Sequence, residues 1–159
     1  MAVTALFAGS FDPVTNGHVD IIRRARPMFD RLVVAVGDNP AKSYMLEQDL
    51  RISLLREAVK DLEGVDVVSF QGLLVDACRA NNASVIVRAL RDSADFAGEA
   101  RYALANRDLS DLDTVFLLAD PALMWVSSTI VKEIRAYGGD FTRYVPACVV
   151  EAVRSGGED

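Results

Sequence analysis

The chain has 159 residues, 51% of them hydrophobic and 25% charged, which suits one domain with a sizeable core and excludes a disordered segment. Its formal net charge of −6 disfavours a broad nucleic-acid surface, although a local basic pocket can still hold a nucleotide. No apolar run reaches membrane-spanning length, the N-terminus lacks the basic and apolar regions of a secretory signal, and Cys78 and Cys148 form no metal motif. The expectation is a soluble cytoplasmic protein with reduced thiols and no membrane or nucleic-acid partner.

Residues 3–8 read VTALFA, a short apolar run of strand length. Residues 9–18 follow as GSFDPVTNGH, and a helical apolar pattern then runs from about 17 to 28. Strand, glycine-bearing turn and helix in that order mark the place where open α/β sheets bind ligands. Gly9 and Gly17 permit close approach of a ligand or of backbone. Free N–H groups in the first helical turn attract anions, and His18, the single histidine, stands there as a donor to phosphate. The same residues also make an ordinary strand-to-helix turn. There is no G-x-x-x-x-G-K-[ST] and no G-x-G-x-x-G, so a P-loop and a standard dinucleotide fingerprint are both excluded.

Residues 32–36, LVVAV, read as a buried parallel strand ended by Gly37 to Pro40. Lys42 stands just beyond that end, as a plain surface lysine or as a cation reaching the same phosphate. Residues 46–62 alternate charged and apolar groups at helical spacing. Arg51 and Arg56 are expected in solvent there, with Leu50, Leu54, Leu55, Ala58 and Val59 inward. Val65 to Phe70 suggest the next strand, Gly72 a turn, and 74–79 a helix. Residues 84–87, SVIV, form another strand pattern, followed by Arg88 and Arg91. Arginines at a strand end need anions, and guanidinium forks suit phosphate. A solvated turn is the alternative. Ala94, Ala97, Tyr102, Ala103 and Leu104 suggest a helical face against the sheet or another subunit.

Residues 114–118, TVFLL, give the last strand. Ser127 or Ser128 caps the helix that follows and can hold phosphate with its free N–H groups. Lys132 lies one turn inside. Gly138 and Gly139 end that helix, Pro146 starts a final short one, and 155–159 read as a frayed tail. No repeat or linker interrupts 1–159, which reads as a single domain.

The segment GSFDPVTNGH resembles the GxFDPxxxGH signature of the nucleotidylyltransferase superfamily. Residues 88–107, RALRDSADFAGEARYALANR, resemble the RGLR, ADFxxE and NR run of the bacterial phosphopantetheine adenylyltransferases. NPAK at 39–42 and VSST at 126–129 resemble that family too, and the likeness extends from residue 5 to about 153. It implies an α/β, Rossmann-like open parallel sheet with helices on both faces. It also implies reversible adenylyl transfer from ATP to 4′-phosphopantetheine, giving dephospho-coenzyme A and pyrophosphate in coenzyme A biosynthesis.

By the same resemblance, Ser10, His18, Lys42 and Arg91 are the catalytic set. Ser10, Lys42, Leu73, Leu74, Arg88 and Asn106 receive the acceptor. Gly9, Ser10, Phe11, Gly17, His18 and Ala89 belong to the ATP site, with Arg91, Glu99, Ser127, Ser128 and Thr129. Magnesium is expected with ATP, with no protein metal cage, and the family is commonly a cytoplasmic hexamer. The chain departs from the family at Ala89, usually glycine, at Gly98, often aromatic, and at Leu123, usually aromatic. Two alternatives stay open: nucleotidyl transfer to another phosphorylated acceptor, which the first motif permits, and a non-catalytic nucleotide sensor, to which those departures give weight.

Overall fold

A computed structural model describes residues 1–155. The described residues form a five-stranded sheet in the order β3-β2-β1-β4-β5, with every pair parallel. The strands are β1 (Thr4–Gly9), β2 (Arg31–Gly37), β3 (Val65–Phe70), β4 (Val85–Leu90) and β5 (Asp113–Leu118). The helices are α1 (Asn16–Ala25), α2 (Gln48–Ala58), α3 (Leu74–Ala80), α4 (Ser93–Ser110), α5 (Ser128–Ala136) and α6 (Ala147–Ser155). This is the expected Rossmann-like arrangement.

Side chains alternate across the central strands, as the two-residue period of a strand requires. Ala5, Phe7, Leu32, Val34, Val36 and Val87 join one core with Ile21 and Ile22 of α1, Leu54 and Leu55 of α2, Val131 of α5, and Val149 and Val153 of α6. Leu6, Ala8, Val33, Ala35 and Ile86 join a second core with Ala77 and Cys78 of α3. Both faces of β1 and β2 are therefore covered, which is why those strands read as unbroken apolar runs. The chain winds outward from β1 through β2 to β3, then returns to place β4 on the other side of β1. The carboxyl ends of β1 and β4 thus flank the switch point of the sheet, where a crevice opens.

Four expectations need correction. Arg51 is only 1% exposed, whereas Leu50 is 38% exposed. Helix α2 starts at Gln48 and buries Arg51 on the same face as Leu54 and Leu55, toward the Ser10 and Gly37 carbonyls that follow and end β1 and β2. The strand after Ser84 runs through Leu90, so Arg88 lies within β4 rather than beyond it. Helix α1 stops at Ala25 and passes into a 3-10 turn, Arg26–Met28, that contains Pro27. Ser155 belongs to α6 rather than to a frayed tail; 156–159 lie outside the described residues. Helix α4 buries none of its side chains completely.

Candidate active site

Two clefts open at the carboxyl ends of β1 and β4. One, of about 720 Å³, is lined by Ser10, Lys42, Leu73, Leu74, Tyr102 and Asn106, among others. The other, of about 230 Å³, is lined by Gly17, His18, Ala89, Arg91, Ser127 and Ser128, among others. Ala8, Gly9, Arg88 and Glu99 line both, so the two spaces meet at a shared wall. A Cβ on Gly9 would come within 3.2 Å of the Phe11 ring, so the tight turn after β1 favours glycine there.

Helix α1 begins with a reciprocal cap. The Thr15 hydroxyl accepts the His18 backbone N–H at 3.3 Å, and the Thr15 backbone N–H donates to His18 Nδ1 at 3.0 Å. Because Nδ1 accepts, the neutral ring carries its proton on Nε2. Phe11 packs edge-on against the imidazole, with centroids 4.9 Å apart. Burial, reinforced by the charges of Arg91 and Arg88, lowers the His18 pKa from 6.5 to about 4. His18 is therefore a neutral donor at pH 7, poised at the mouth of a helix whose free N–H groups favour anions.

The two arginines already have carboxylate partners. Arg88 Nε and Nη2 donate to Glu99 at 2.6 and 2.8 Å, and Nη1 donates to the Ala8 carbonyl at 2.8 Å. These bonds use three of five guanidinium N–H groups, so donors remain for a ligand. Arg91 Nε and Nη2 donate to Asp95 at 2.9 and 3.1 Å. That pairing raises the Arg91 pKa and lowers that of Asp95. Helix α4 thus aims both forks while keeping them charged.

Helix α5 closes the smaller cleft. Ser127 is its N-cap and accepts the Ile130 N–H at 3.2 Å. Ser128 Oγ donates to the Pro13 carbonyl at 2.8 Å, which fastens the start of α5 to the loop after β1. Beneath this contact lies Asp12, only 2% exposed. Its carboxylate accepts the N–H groups of Met45 and Leu46, both at 2.8 Å, and Lys132 Nζ at 3.2 Å. One buried carboxylate therefore ties together the β1–α1 loop, the segment bearing Lys42, and α5.

Known proteins decide the family. A cytidylyltransferase-like family model matches residues 6–134. A phosphopantetheine adenylyltransferase from Thermobifida fusca (strain YX) is 48% identical over 147 residues, covering 92% of this chain and 90% of that protein. One from Desulfosudis oleivorans is 46% identical over 146 residues, covering 91% and 87%. The chain belongs to the phosphopantetheine adenylyltransferase family. A third adenylyltransferase of that name, from Thioalkalivibrio sulfidiphilus, is 45% identical and covers 98% of both chains. Among solved structures, a lipopolysaccharide core biosynthesis protein from Thermoplasma volcanium shares the fold, with a TM-score of 0.54 and 19% identity, covering 76% of this chain and 98% of that one.

The acceptor residues suggested by likeness to phosphopantetheine adenylyltransferases, Ser10, Lys42, Leu73, Leu74, Arg88 and Asn106, all line the larger cleft. Leu73 is 55% exposed, so core packing does not explain it. Of the ATP-side residues, Gly9, Gly17, His18, Ala89, Arg91, Glu99, Ser127 and Ser128 line the smaller cleft, while Ser10 lines the larger. Phe11 is buried under His18 and Thr129 is exposed on α5; neither lines a cleft. Asp12, Thr15 and Arg51 are site-building residues that were not among the expected ones. Asp12 and Thr15 lay within the quoted signature, and a threonine three residues before His18 is itself a capping signal. Arg51 stands three and four residues before Leu54 and Leu55, on the face that α2 buries, so spacing pointed inward and only its charge argued for solvent.

Proposed function

We propose that the chain transfers the adenylyl group of ATP to 4′-phosphopantetheine, forming dephospho-coenzyme A and pyrophosphate, in either direction. The observation that carries this reading is the meeting of two clefts at Gly9 and the Arg88–Glu99 pair. Such a junction brings an acceptor phosphate from one side to a nucleotide α-phosphate on the other. The relatives named phosphopantetheine adenylyltransferase support the substrate pair.

An oxygen of the acceptor phosphate attacks the α-phosphorus in line. The new P–O bond forms as the bond to the β-phosphate oxygen breaks, and pyrophosphate leaves with that electron pair. A phosphate oxygen needs no general base, so the protein's task is alignment and charge stabilisation. In this reading, His18 Nε2–H and Ser10 hold the α-phosphate oxygens. Lys42 bridges the α-phosphate and the acceptor phosphate, and Arg88 orients the acceptor. Arg91 and the start of α5 at Ser127–Thr129 hold the β- and γ-phosphates. Leu73, Leu74 and Asn106 take the pantetheine arm.

Among the described residues, no group of three His, Cys, Asp or Glu is placed to hold a metal ion. Asp12, Asp95 and Glu99 are each bonded to N–H donors. In this reading magnesium accompanies ATP, and no step is assigned to it. Tyr102 and Leu104 on α4 and Leu118 on β5 are exposed, which supports a homo-oligomer; a cytoplasmic hexamer is the proposed assembly. No helix among the described residues is long and apolar enough to cross a membrane.

The test is pyrophosphate release from ATP and magnesium, with and without 4′-phosphopantetheine. The expected result is release only with the acceptor, matched by dephospho-coenzyme A. Release with a different phosphorylated acceptor alone would reassign the substrate. ATP binding without turnover on any acceptor would make the chain a sensor.

A further inference from the structure

The segment that carries Lys42 runs from the end of β2 to the start of α2 without helix or strand of its own. A lysine that must bridge two phosphates needs a fixed backbone, and this segment has no ladder to supply one. Arg51 supplies contacts to the segment from below. Its Nε donates to the Leu46 carbonyl at 3.1 Å and its Nη2 to Asp38 Oδ1 at 3.1 Å. Its Nη1 donates to the carbonyls of Ser10 at 2.8 Å and Gly37 at 2.9 Å. The Tyr44 ring lies 4.0 Å from the guanidinium carbon. Tyr44 in turn accepts the Asn39 N–H at 2.8 Å, and the Asn39 carbonyl accepts the Lys42 N–H at 2.9 Å.

One side chain thus touches both ends of the Lys42 segment, its middle, and the backbone of Ser10 in the loop after β1. Only a planar fork with several fixed donors can do this; an ammonium is a single point of charge. Burial of a charge is a poor route to stability by itself, so the geometry that Arg51 fixes is the more informative feature. We propose that Arg51 is a positioning residue that holds Lys42 in register with Ser10 for the transfer step. This rests on the adenylyl-transfer reading, in which those two residues face the reacting phosphates.

The experiment is a double-mutant cycle between Arg51→Lys and Lys42→Ala, read in steady-state turnover, with ATP affinity and thermal unfolding followed in parallel. Wild-type protein must first show acceptor-dependent pyrophosphate release; its absence counts against the adenylyl-transfer reading and not against the role of Arg51. Arg51→Lys is expected to unfold cooperatively, keep ATP affinity within threefold, and lose at least tenfold in kcat, because a displacement near 1 Å costs on the order of 10²-fold. In the Lys42→Ala background the same substitution should cost less than threefold, since the group it positions is gone. Losses that multiply, or a folded Arg51→Lys protein with wild-type kcat, overturn the proposal. Should Arg51→Lys not fold, Tyr44→Leu removes the ring beneath the guanidinium and enters the same cycle. A smaller loss that Lys42→Ala abolishes supports the proposal, and a multiplicative or absent loss overturns it.

Discussion

The Thr15 backbone N–H donates to His18 Nδ1 at 3.0 Å, and the Thr15 hydroxyl accepts the His18 backbone N–H at 3.3 Å. This reciprocal cap selects the tautomer in which Nε2 carries the proton. It also places the imidazole at the start of α1, where free N–H groups favour phosphate. A capping motif that would ordinarily only begin a helix here also prepares a hydrogen-bond donor.

His18→Ala should therefore lower kcat by about 10²–10³-fold, the usual loss for one donor aimed at developing phosphoryl charge. The KM for ATP should stay within about threefold, because the proposed function leaves the outer phosphates to Arg91 and the start of α5. Steady-state kinetics with saturating acceptor gives both numbers. Equal losses in kcat and ATP affinity would remove His18 from the transition state.

His18 is the only histidine, so its titration can be followed without assignment. Its pKa is about 4 in the folded protein, against an ordinary value of 6.5, through burial and then the charges of Arg91 and Arg88. Between those values the unfolded chain takes up a proton that the folded chain refuses. Stability therefore falls as pH drops from 6.5 toward 4, by up to about 3 kcal/mol in all, and is unaffected by this group above 6.5. Proton NMR of the imidazole should show the low value without ligand. ATP should raise it, since phosphate charge favours the imidazolium. A free-protein value near 6.5 would contradict the buried, cation-flanked setting.

The five strands were legible because they rest on local rules, apolar runs of strand length bounded by turn residues, whereas the motif after β1 was legible through its resemblance to a family signature. The partners of the arginines were not. Arg88 and Glu99 are eleven residues apart and meet only because β4 and α4 pack together. Sequence reading asked for an anion beside Arg88, and the fold answers first with a carboxylate. Arg51 and Leu50 exchanged their expected environments because the carbonyls that receive Arg51 come from Ser10, just after β1, and Gly37, at the end of β2. Helical spacing put Arg51 on the face of Leu54 and Leu55; its charge argued for solvent because the acceptors that satisfy it lie far away in sequence.

The Arg88–Glu99 fork makes Arg88→Lys a severe change despite the conserved charge. Lysine cannot pair with Glu99 through two parallel bonds and reach the Ala8 carbonyl together. The KM for 4′-phosphopantetheine should rise at least tenfold, with the KM for ATP moving by about threefold or less. Initial rates across both substrate ranges distinguish the two. A larger change on the ATP side would assign Arg88 to the nucleotide instead.

Gly98 lies in the interior of α4, and a Cβ added there meets nothing within 4 Å. Gly98→Ala should stabilise the protein by about 0.5–1 kcal/mol through helix propensity alone. Thermal unfolding should then shift upward by about 1–4 °C. A loss of stability would mean that the open space beside Gly98 is filled in the assembled protein.

Asp12 carries the connection between the two halves of the site. Its carboxylate receives two backbone N–H groups and the Lys132 ammonium while almost wholly buried. Asn has one acceptor oxygen and a donor NH₂ where the second acceptor stood, so Asp12→Asn breaks a backbone bond and leaves Lys132 without its carboxylate. The expected cost is about 1–3 kcal/mol in unfolding free energy, equivalent to roughly 2–12 °C in Tm for a chain of this size. Because Met45 and Leu46 follow Lys42, turnover should fall as well, even at temperatures where the variant is fully folded. Denaturant unfolding and kcat measured on the same preparation test both parts. Lost stability with wild-type kcat would confine Asp12 to the fold and uncouple it from the Lys42 segment.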